Sequence, residues 1–533
     1  KINIVFGCGG ERDIPKRKIM GRIANTYCNK IYLTDDNPRR EKPKKIRNQI
    51  KVKINKKKLI EISSREIAIK TAIKNIKSDE IVVVAGKGHE TYQEYKKKKY
   101  FSDKDCILKS IKEKNKTLNK NWKTNILEEH LDNKLNNKII INEACINSKE
   151  VKKNNAFFGI KGNKIDGNQF ANEAIKKGAS ISIIDKNYGK KIKNKIKVKN
   201  TLKFFTKCAT KVRASSDIIA IGITGSAGKT SLKELLGQSL SKIHNTTYSK
   251  KSFNNKYGVP VSLFNINKKD KFGIFEIGMD KKGEINNLSK IIKPNIGVIT
   301  NISYAHSKNF KNLFGIAKAK SEIIDNIIAN GSIVLNADDK FYNYFKLKAL
   351  KRNLKIISFS IKNKSNIKLE KIKNIKNTSN IKINIYGRSR NFIIKKNLEF
   401  YIENILASLA IASNYLDLNN ISEKFFFNYN LPEGRGDYKY IKINKKKIHL
   451  IDESYNSNPL SLKFSLKNFN KIRTQSKRKI ILLGDMLELG KFSKKLHLEA
   501  AKIVNNTNIN RVYVFGKKII DTFNKIRPQK RGK

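Results

Sequence analysis

The stretch Ile219-Ala-Ile-Gly-Ile-Thr-Gly-Ser-Ala-Gly-Lys-Thr-Ser231 restricts what this chain can fold into more than any other. Apolar and β-branched residues from Ile218 to Thr224 read as a buried strand, which breaks into the glycine-rich turn Gly225-Ser226-Ala227-Gly228. After Lys229, Thr230 and Ser231 the pattern becomes helical, with Leu232, Leu235, Leu236 and Leu240 on one face. Strand, glycine turn and helix N-terminus in succession make an anion cradle. Free backbone N–H groups point at a phosphate, the helix dipole favours negative charge, and Lys229 adds a full positive charge. Thr230 offers a hydroxyl to Mg²⁺. In the usual spacing the first glycine stands five residues before the second. That slot is Ile223 here, with Gly222 one residue earlier, so the loop is a variant. A plain turn would not need Gly-Lys-Thr at the helix start. Residues 224–231 are therefore expected to bind a nucleotide phosphate.

At 533 residues the chain is expected to hold roughly three to five domains. No run approaches the ~18 apolar residues of a membrane span, and no signal peptide is recognisable. Residue 1 is Lys and Ile2 to Phe6 already reads as a strand, so a segment of a longer chain is expected, cut at both ends. Cys8, Cys28, Cys106, Cys145 and Cys208 are scattered and never in CxxC spacing. This argues against a disulfide framework or a zinc site and fits a reducing cytoplasm. The formal charge of +69 would attract polyanions. The lysines are dispersed through strands and helices alike, without zinc-finger spacing or an RNP-type aromatic motif, so a general Lys/Asn/Ile bias accounts for the charge better than a nucleic-acid site.

Three polar clusters stand at expected strand ends in residues 1–112: Gly7 to Asp13 with Arg12, Asp35-Asp36-Asn37-Pro38-Arg39, and Gly86-Lys87-Gly88-His89-Glu90. Open α/β sheets bind ligands at strand C-terminal ends, and mixed arginines and carboxylates suit a zwitterionic amino acid. A polar stretch, 113–138, reads as a linker with some helix. Residues 139–214 read as a small glycine-punctuated α/β domain containing Ser148, Lys161, Gly162, Asp166 and Gly167. In residues 215–428, Glu276 ends an apolar strand. A lone acid there needs a partner, and Mg²⁺ shared with Thr230 is the economical one. His306 follows the strand Ile296–Ile299 and is a candidate second-metal ligand. Asn336 lies at another strand end, suited to purine or ribose hydrogen bonds. A last domain, 429–533, carries Pro432-Glu433-Gly434-Arg435, the run Asp452-Glu453-Ser454-Tyr455-Asn456-Ser457-Asn458-Pro459, and Gly484 to Gly490.

In this order the motifs from residue 140 to about 520 closely resemble the Mur ligase family, and within it the MurF type. The N-terminal clusters resemble the C-terminal domain of the MurE type, and Asp-Asn-Pro-Arg the version that selects meso-diaminopimelate. The resemblance implies a multidomain α/β architecture with a parallel-sheet, phosphate-loop central domain and Rossmann-like C-terminal domains, in a segment of a MurE–MurF fusion. It implies ATP and Mg²⁺ as cofactors, and UDP-N-acetylmuramoyl-tripeptide and D-alanyl-D-alanine as substrates of a monomeric, cytoplasmic ligase.

Carried over residue by residue, Lys229 contacts the ATP phosphates, and Thr230 and Glu276 hold one Mg²⁺. His306 serves a second metal, Lys320 falls where members can carry a carbamylated lysine, and Arg435 touches the γ-phosphate. Asn336 and Asn404 lie on the nucleotide side, and Asp452 is a ribose or phosphate partner. Ser148, Lys161, Asp166, Asn254 and Asn255 fall among the substrate contacts, with Tyr455, Asn456 and Asn458 organising the cleft between domains. Arg12, Asp36, Asn37, Arg39, Gly86 and Glu90 would hold diaminopimelate. The uridine-site pattern departs from the family at Asn147, Lys149 and Asn168. So does Leu398-Glu399-Phe400-Tyr401, where a Gly-x-His-Asn-like element is usual.

The implied reaction is ATP-driven amide formation through an acyl phosphate, in which positioning and charge neutralisation are the protein's main tasks. Two alternatives remain at this point. One is another ligase of the family, such as the folylpolyglutamate type; the other is a basic polyanion-binding protein that keeps an inert ligase fold.

Overall fold

The computed structural model describes the chain except residues 77–79, 89, 132–134, 136–138, 190, 191, 193, 250, 444, 445, 473–477 and 533. For 115–121, 443, 446 and 447 it describes backbone alone. His89, part of the third N-terminal cluster, lies outside the described residues. Contacts divide the chain into two units, Lys1–Asn125 and Ile126–Lys533.

In the first unit four parallel strands lie in the order Leu59–Glu61, Lys30–Leu33, Ile2–Phe6, Ile81–Val84. Helices such as Pro15–Tyr27 and Arg65–Asn75 connect them. Val5, Phe6, Ile31 and Leu33 are fully or almost fully buried, as expected of strands covered on both faces. The helix Asp103–Glu128 runs straight through the boundary expected at residue 112 and into the stretch read as linker. Cys106, Ser110, Trp122 and Ile126 are buried along it. A lysine-rich composition hid this sparse apolar stripe.

The second unit begins with a small parallel sheet of Glu143–Cys145, Asn155–Phe158, Ile181–Asp185 and Lys195–Val198. Its centre is a nine-stranded sheet. The parallel part runs Thr246–Tyr248, Phe272–Glu276, Ile219–Thr224, Ile296–Ile299, Ser332–Asn336, Lys355–Ser360 and on to Ile367–Ile375. Beyond that the sheet is antiparallel, through Thr378–Ile385 and Arg388–Lys395. The sheet is therefore mixed rather than all-parallel. Ile381, Ile383 and Ile385 are buried on one face and alternate with Lys382 and Asn384, the period-two pattern of a half-buried strand. Tyr386 and Gly387, at φ 48° and 91°, turn the hairpin.

The strand Ile219–Thr224 is buried throughout and ends in the phosphate loop, so the loop emerges at the C-terminal edge of the central sheet. The helix Lys229–Leu240 follows, with Leu232, Leu235, Leu236 and Leu240 all in the core. The last part of the chain pairs Asp437–Ile443 with Lys446–Asp452 antiparallel, and Ile480–Gly484 with Arg511–Phe515 parallel. No helix among the described residues is long and apolar enough to cross a membrane.

Candidate active site

Gly225 and Gly228, at φ 146° and 81°, shape the phosphate loop. A side-chain carbon at Gly225 would lie 1.9 Å from Thr300 Oγ1, so only glycine fits there. The neighbouring strand end secures the loop. Ala227 N donates to Asn301 Oδ1 (2.9 Å) and Thr300 Oγ1 donates to Ala227 O (2.7 Å). Ser226 Oγ donates to Ser303 O at 2.9 Å. The first N–H groups of the helix Lys229–Leu240 have no intrahelical acceptor and face the loop opening. Lys229 folds back to donate to Gly225 O at 2.9 Å, which holds its ammonium over the cradle. Burial pushes its pKa down; the Glu276 carboxylate works against that shift and the nearby Arg435 with it.

Glu276 is 1% exposed at the end of its strand. Thr230 Oγ1 donates to one carboxylate oxygen at 2.7 Å and Asn254 Nδ2 to the other at 2.9 Å. A carboxylate and a hydroxyl beside a phosphate cradle form the hard-oxygen donor set that Mg²⁺ takes, so the residues fit that ion. Asn254, expected among the substrate contacts, orients this acid. Lys320 is 1% exposed and has no ion-pair or hydrogen-bond partner among the described residues. Burial, reinforced by Lys229, holds its pKa well below the ordinary lysine value.

His306 sits at φ 55° with Nδ1 against Asp280 Oδ1 (3.2 Å) and against the Glu488 carboxylate. These three residues could together hold a cation. Burial lowers the imidazole pKa, opposed by Glu488. Glu488 belongs to the segment Gly484–Gly490 of the last domain and is itself left-handed, at φ 61°. That segment docks on the central domain: Lys308 N donates to Glu488 O at 2.9 Å and Ser307 Oγ to Leu489 O at 3.2 Å. His497, fully buried, accepts from Met486 N at 3.2 Å and anchors the segment from behind. Neither Asp280 nor Glu488 was legible as a partner of His306, because both lie far from it in sequence.

Arg435 stands between Gly434 and Gly436, its guanidinium 4.3 Å from the centre of the Tyr455 ring. Tyr455 in turn donates to Ser252 Oγ of the central domain at 2.7 Å. Asn404 Oδ1 lies 3.2 Å from where a side-chain carbon on Gly228 would stand, so Asn404 flanks the loop.

Several other expected contacts are engaged within the fold or are exposed. Asn255 Oδ1 accepts from Tyr257 N and Gly258 N, both at 3.0 Å. Asn336 Oδ1 accepts from Asp338 N at 2.9 Å. Asn458 caps the helix Pro459–Lys471 in a complete capping box. Asp452 Oδ1 accepts from Ser454 N (3.0 Å), and Asn456 is exposed. Ser148 Oγ donates to Glu173 at 3.0 Å, and Asp166 accepts twice from Asn168, at 2.9 and 2.7 Å. Lys161 is exposed and forms a single bridge to Asp166.

In the first unit the three clusters meet at the strand ends. Asn37 Nδ2 donates to Glu90 Oε2 (2.7 Å), while Asn37 Oδ1 accepts from Lys87 Nζ (3.0 Å). Arg39 donates to Gly10 O at 2.6 Å and, like Arg12, borders Gly9. Arg12 itself is exposed. Asp36 is buried, with Oδ1 lacking any hydrogen-bond partner, and a side-chain carbon at Gly86 would lie 3.1 Å from its other oxygen. Burial raises the Asp36 pKa; Arg65 and Lys87 pull it back. Arg65, which sequence reading passed over, is held by two bonds to Asp103 at 2.8 and 2.7 Å.

Comparison with known proteins gives the geometry a family. Residues 141–209 match the model "Mur ligase family, catalytic domain" and 223–412 "Mur ligase middle domain". The model "Mur ligase, glutamate ligase domain" matches twice, at 1–88 and 439–530. The UDP-N-acetylmuramoyl-tripeptide–D-alanyl-D-alanine ligase of Buchnera aphidicola subsp. Baizongia pistaciae is 34% identical over 383 residues, 71% of this chain and 81% of that one. Over 113 residues, 21% of this chain, identity is 51% to the UDP-N-acetylmuramoyl-L-alanyl-D-glutamate–2,6-diaminopimelate ligase of Rickettsia rickettsii, 24% of which is covered. The crystal structure of MurF from Acinetobacter baumannii superposes with a TM-score of 0.67 at 24% identity, covering 77% of this chain and 88% of that one, a likeness of fold. The chain belongs to the Mur ligase family.

Proposed function

We propose that residues from about 140 onward form an ATP-dependent amide ligase that joins D-alanyl-D-alanine to UDP-N-acetylmuramoyl-tripeptide, a step of peptidoglycan precursor synthesis in the cytoplasm. The observation that carries this reading is the Lys229–Thr230–Glu276–Asn254 constellation at the mouth of a glycine cradle. It stands in a chain that covers 81% of a relative bearing that activity's name. Five free cysteines, four of them buried, agree with a reducing compartment.

The loop amides and Lys229 bind the triphosphate of ATP and fix its terminal phosphorus in line with the substrate carboxylate. Attack forms the carboxyl–phosphate bond, and the bond from the γ-phosphorus to the ADP oxygen breaks. Lys229 and Arg435 hold the negative charge that develops on the transferred group. Thr230 and Glu276 would hold a Mg²⁺ ion, which would supply neutralisation of phosphate charge. The amine of D-alanyl-D-alanine then attacks the acyl carbon, the amide forms, phosphate leaves and the amine gives up a proton. Because Arg435 and Glu488 come from the last domain, its approach to the central domain completes the site and excludes water.

The first unit is proposed to bind meso-diaminopimelate through Asp36, Asn37, Arg39, Gly86 and Glu90, with Arg12 at the rim. Its unpaired Asp36 oxygen suits an ammonium group.

Phosphate release tests the ligase reading. Release from ATP and Mg²⁺ is expected only with both UDP-N-acetylmuramoyl-tripeptide and D-alanyl-D-alanine present. Lys229→Ala is expected to reduce it by roughly a hundredfold or more. Release that ignores either substrate, or survives that substitution, overturns the reading.

A further inference from the structure

The segment Leu398–Tyr401, where the sequence leaves the family's pattern, forms the turn Lys396–Tyr401 ahead of the helix Ile402–Ala412. Its last residue reaches two places that matter to the phosphate. Tyr401 Oη donates to the carbonyl of Arg435 at 2.6 Å. Its ring meets Tyr429 edge to face, with centroids 6.4 Å apart, and Tyr429 Oη donates to Ser231 O at 3.2 Å. Ser231 lies in the first turn of the phosphate-loop helix, two residues after Lys229. Through Tyr429, Tyr401 thus links the phosphate-loop helix to the backbone that carries Arg435.

That backbone needs such a hold. Arg435 is flanked by Gly434 and Gly436 at φ 69° and 82°, and Gly-Arg-Gly has more accessible backbone states than any other arrangement of three residues around an arginine. A side-chain carbon on Gly436 would lie 2.7 Å from Tyr401 Oη, so the glycine there is what lets the hydroxyl come close. On its other side the arginine rests on Tyr455, which is tied to Ser252.

We infer that Tyr401 is a positioning residue for ATP: its hydroxyl fixes the Gly434–Gly436 hinge so that the Arg435 guanidinium meets the terminal phosphate. The inference rests on the reading of Arg435 as a γ-phosphate contact. It predicts discrimination between nucleotides, because ADP lacks the group that Arg435 reaches.

Binding of a non-hydrolysable ATP analogue and of ADP, each with Mg²⁺, is measured on the full chain for wild type, Tyr401→Phe, Arg435→Ala and the double variant. Tyr401→Phe keeps the ring and is expected to weaken the analogue about tenfold, the scale of one hydrogen bond, and to leave ADP unchanged. The double variant is expected to bind the analogue no more weakly than Arg435→Ala alone. Equal weakening of analogue and ADP by Tyr401→Phe would show mere structural support and overturn the inference. So would a Tyr401→Phe that binds both normally while Arg435→Ala loses the analogue, which leaves the Arg435 reading intact. If Arg435→Ala binds both nucleotides normally, the Arg435 reading itself falls.

Discussion

Lys320 shows how a residue's surroundings can choose its chemistry. For a lysine that is 1% exposed, burial and the nearby Lys229 both disfavour the cation and shift the balance toward the neutral amine. A neutral amine is the form that adds CO₂, forming an N–C bond and releasing one proton, and the anionic carbamate would answer the positive field of Lys229. The sign for stability follows from the same shift. Between the lowered folded-state pKa and the ordinary lysine value the unfolded chain binds a proton that the folded chain has lost, so stability rises with pH across that window and levels off above it. Carbon-13 NMR under labelled CO₂ is expected to show a carbamate resonance that vanishes in Lys320→Ala, with ligase turnover down by roughly a hundredfold. A spectrum unchanged by the substitution rules out carbamylation at this residue.

At the scale of elements, the residues proposed to touch phosphate and those that hold the elements in place are interleaved, and sequence separates them poorly. The glycine loop was legible because Gly225, Gly228, Lys229 and Thr230 are consecutive and each has a distinct backbone or charge requirement. The strand ending in Glu276 was legible because an acid that closes a buried apolar run has few explanations. Asn254, Asn255, Asn336 and Asn458 were not separable by type, since an asparagine that orients an acid and one that caps a turn look alike until the partner is seen. Glu488 and Asp280 gave no signal because their meeting with His306 depends on tertiary contacts. The capping role of Asn458 makes a specific expectation. Asn458→Ala removes the one side-chain oxygen that accepts from both Leu460 N and Ser461 N and should destabilise the last domain by about 1 kcal/mol. Thermal unfolding with hydrogen exchange at the start of the helix Pro459–Lys471 checks this. Unaltered exchange there would return Asn458 to the cleft.

At the scale of the whole molecule, one feature dominates: the glutamate ligase domain matches twice and the middle domain once. Among the described residues the phosphate-loop strand, the Glu276 strand and the Lys320 helix all lie in the second unit. The first unit carries a polar site of different character, with a buried acid, an asparagine bridging Lys87 to Glu90, and arginines at its rim, and no phosphate cradle among its described residues. The two sites are therefore expected to be chemically independent. In the full chain, Asp36→Asn should abolish binding of meso-diaminopimelate, since a carboxylate left unpaired and buried is the group best placed to take an ammonium. Lys229→Ala should leave that binding intact while it halts phosphate release. Isothermal titration with the amino acid, run beside phosphate release on both variants, separates the cases. Loss of diaminopimelate binding in Lys229→Ala would mean that the first unit depends on the nucleotide site. Retention in Asp36→Asn would move the amino-acid site away from the strand ends, because no other buried carboxylate oxygen among the first unit's described residues lacks a partner.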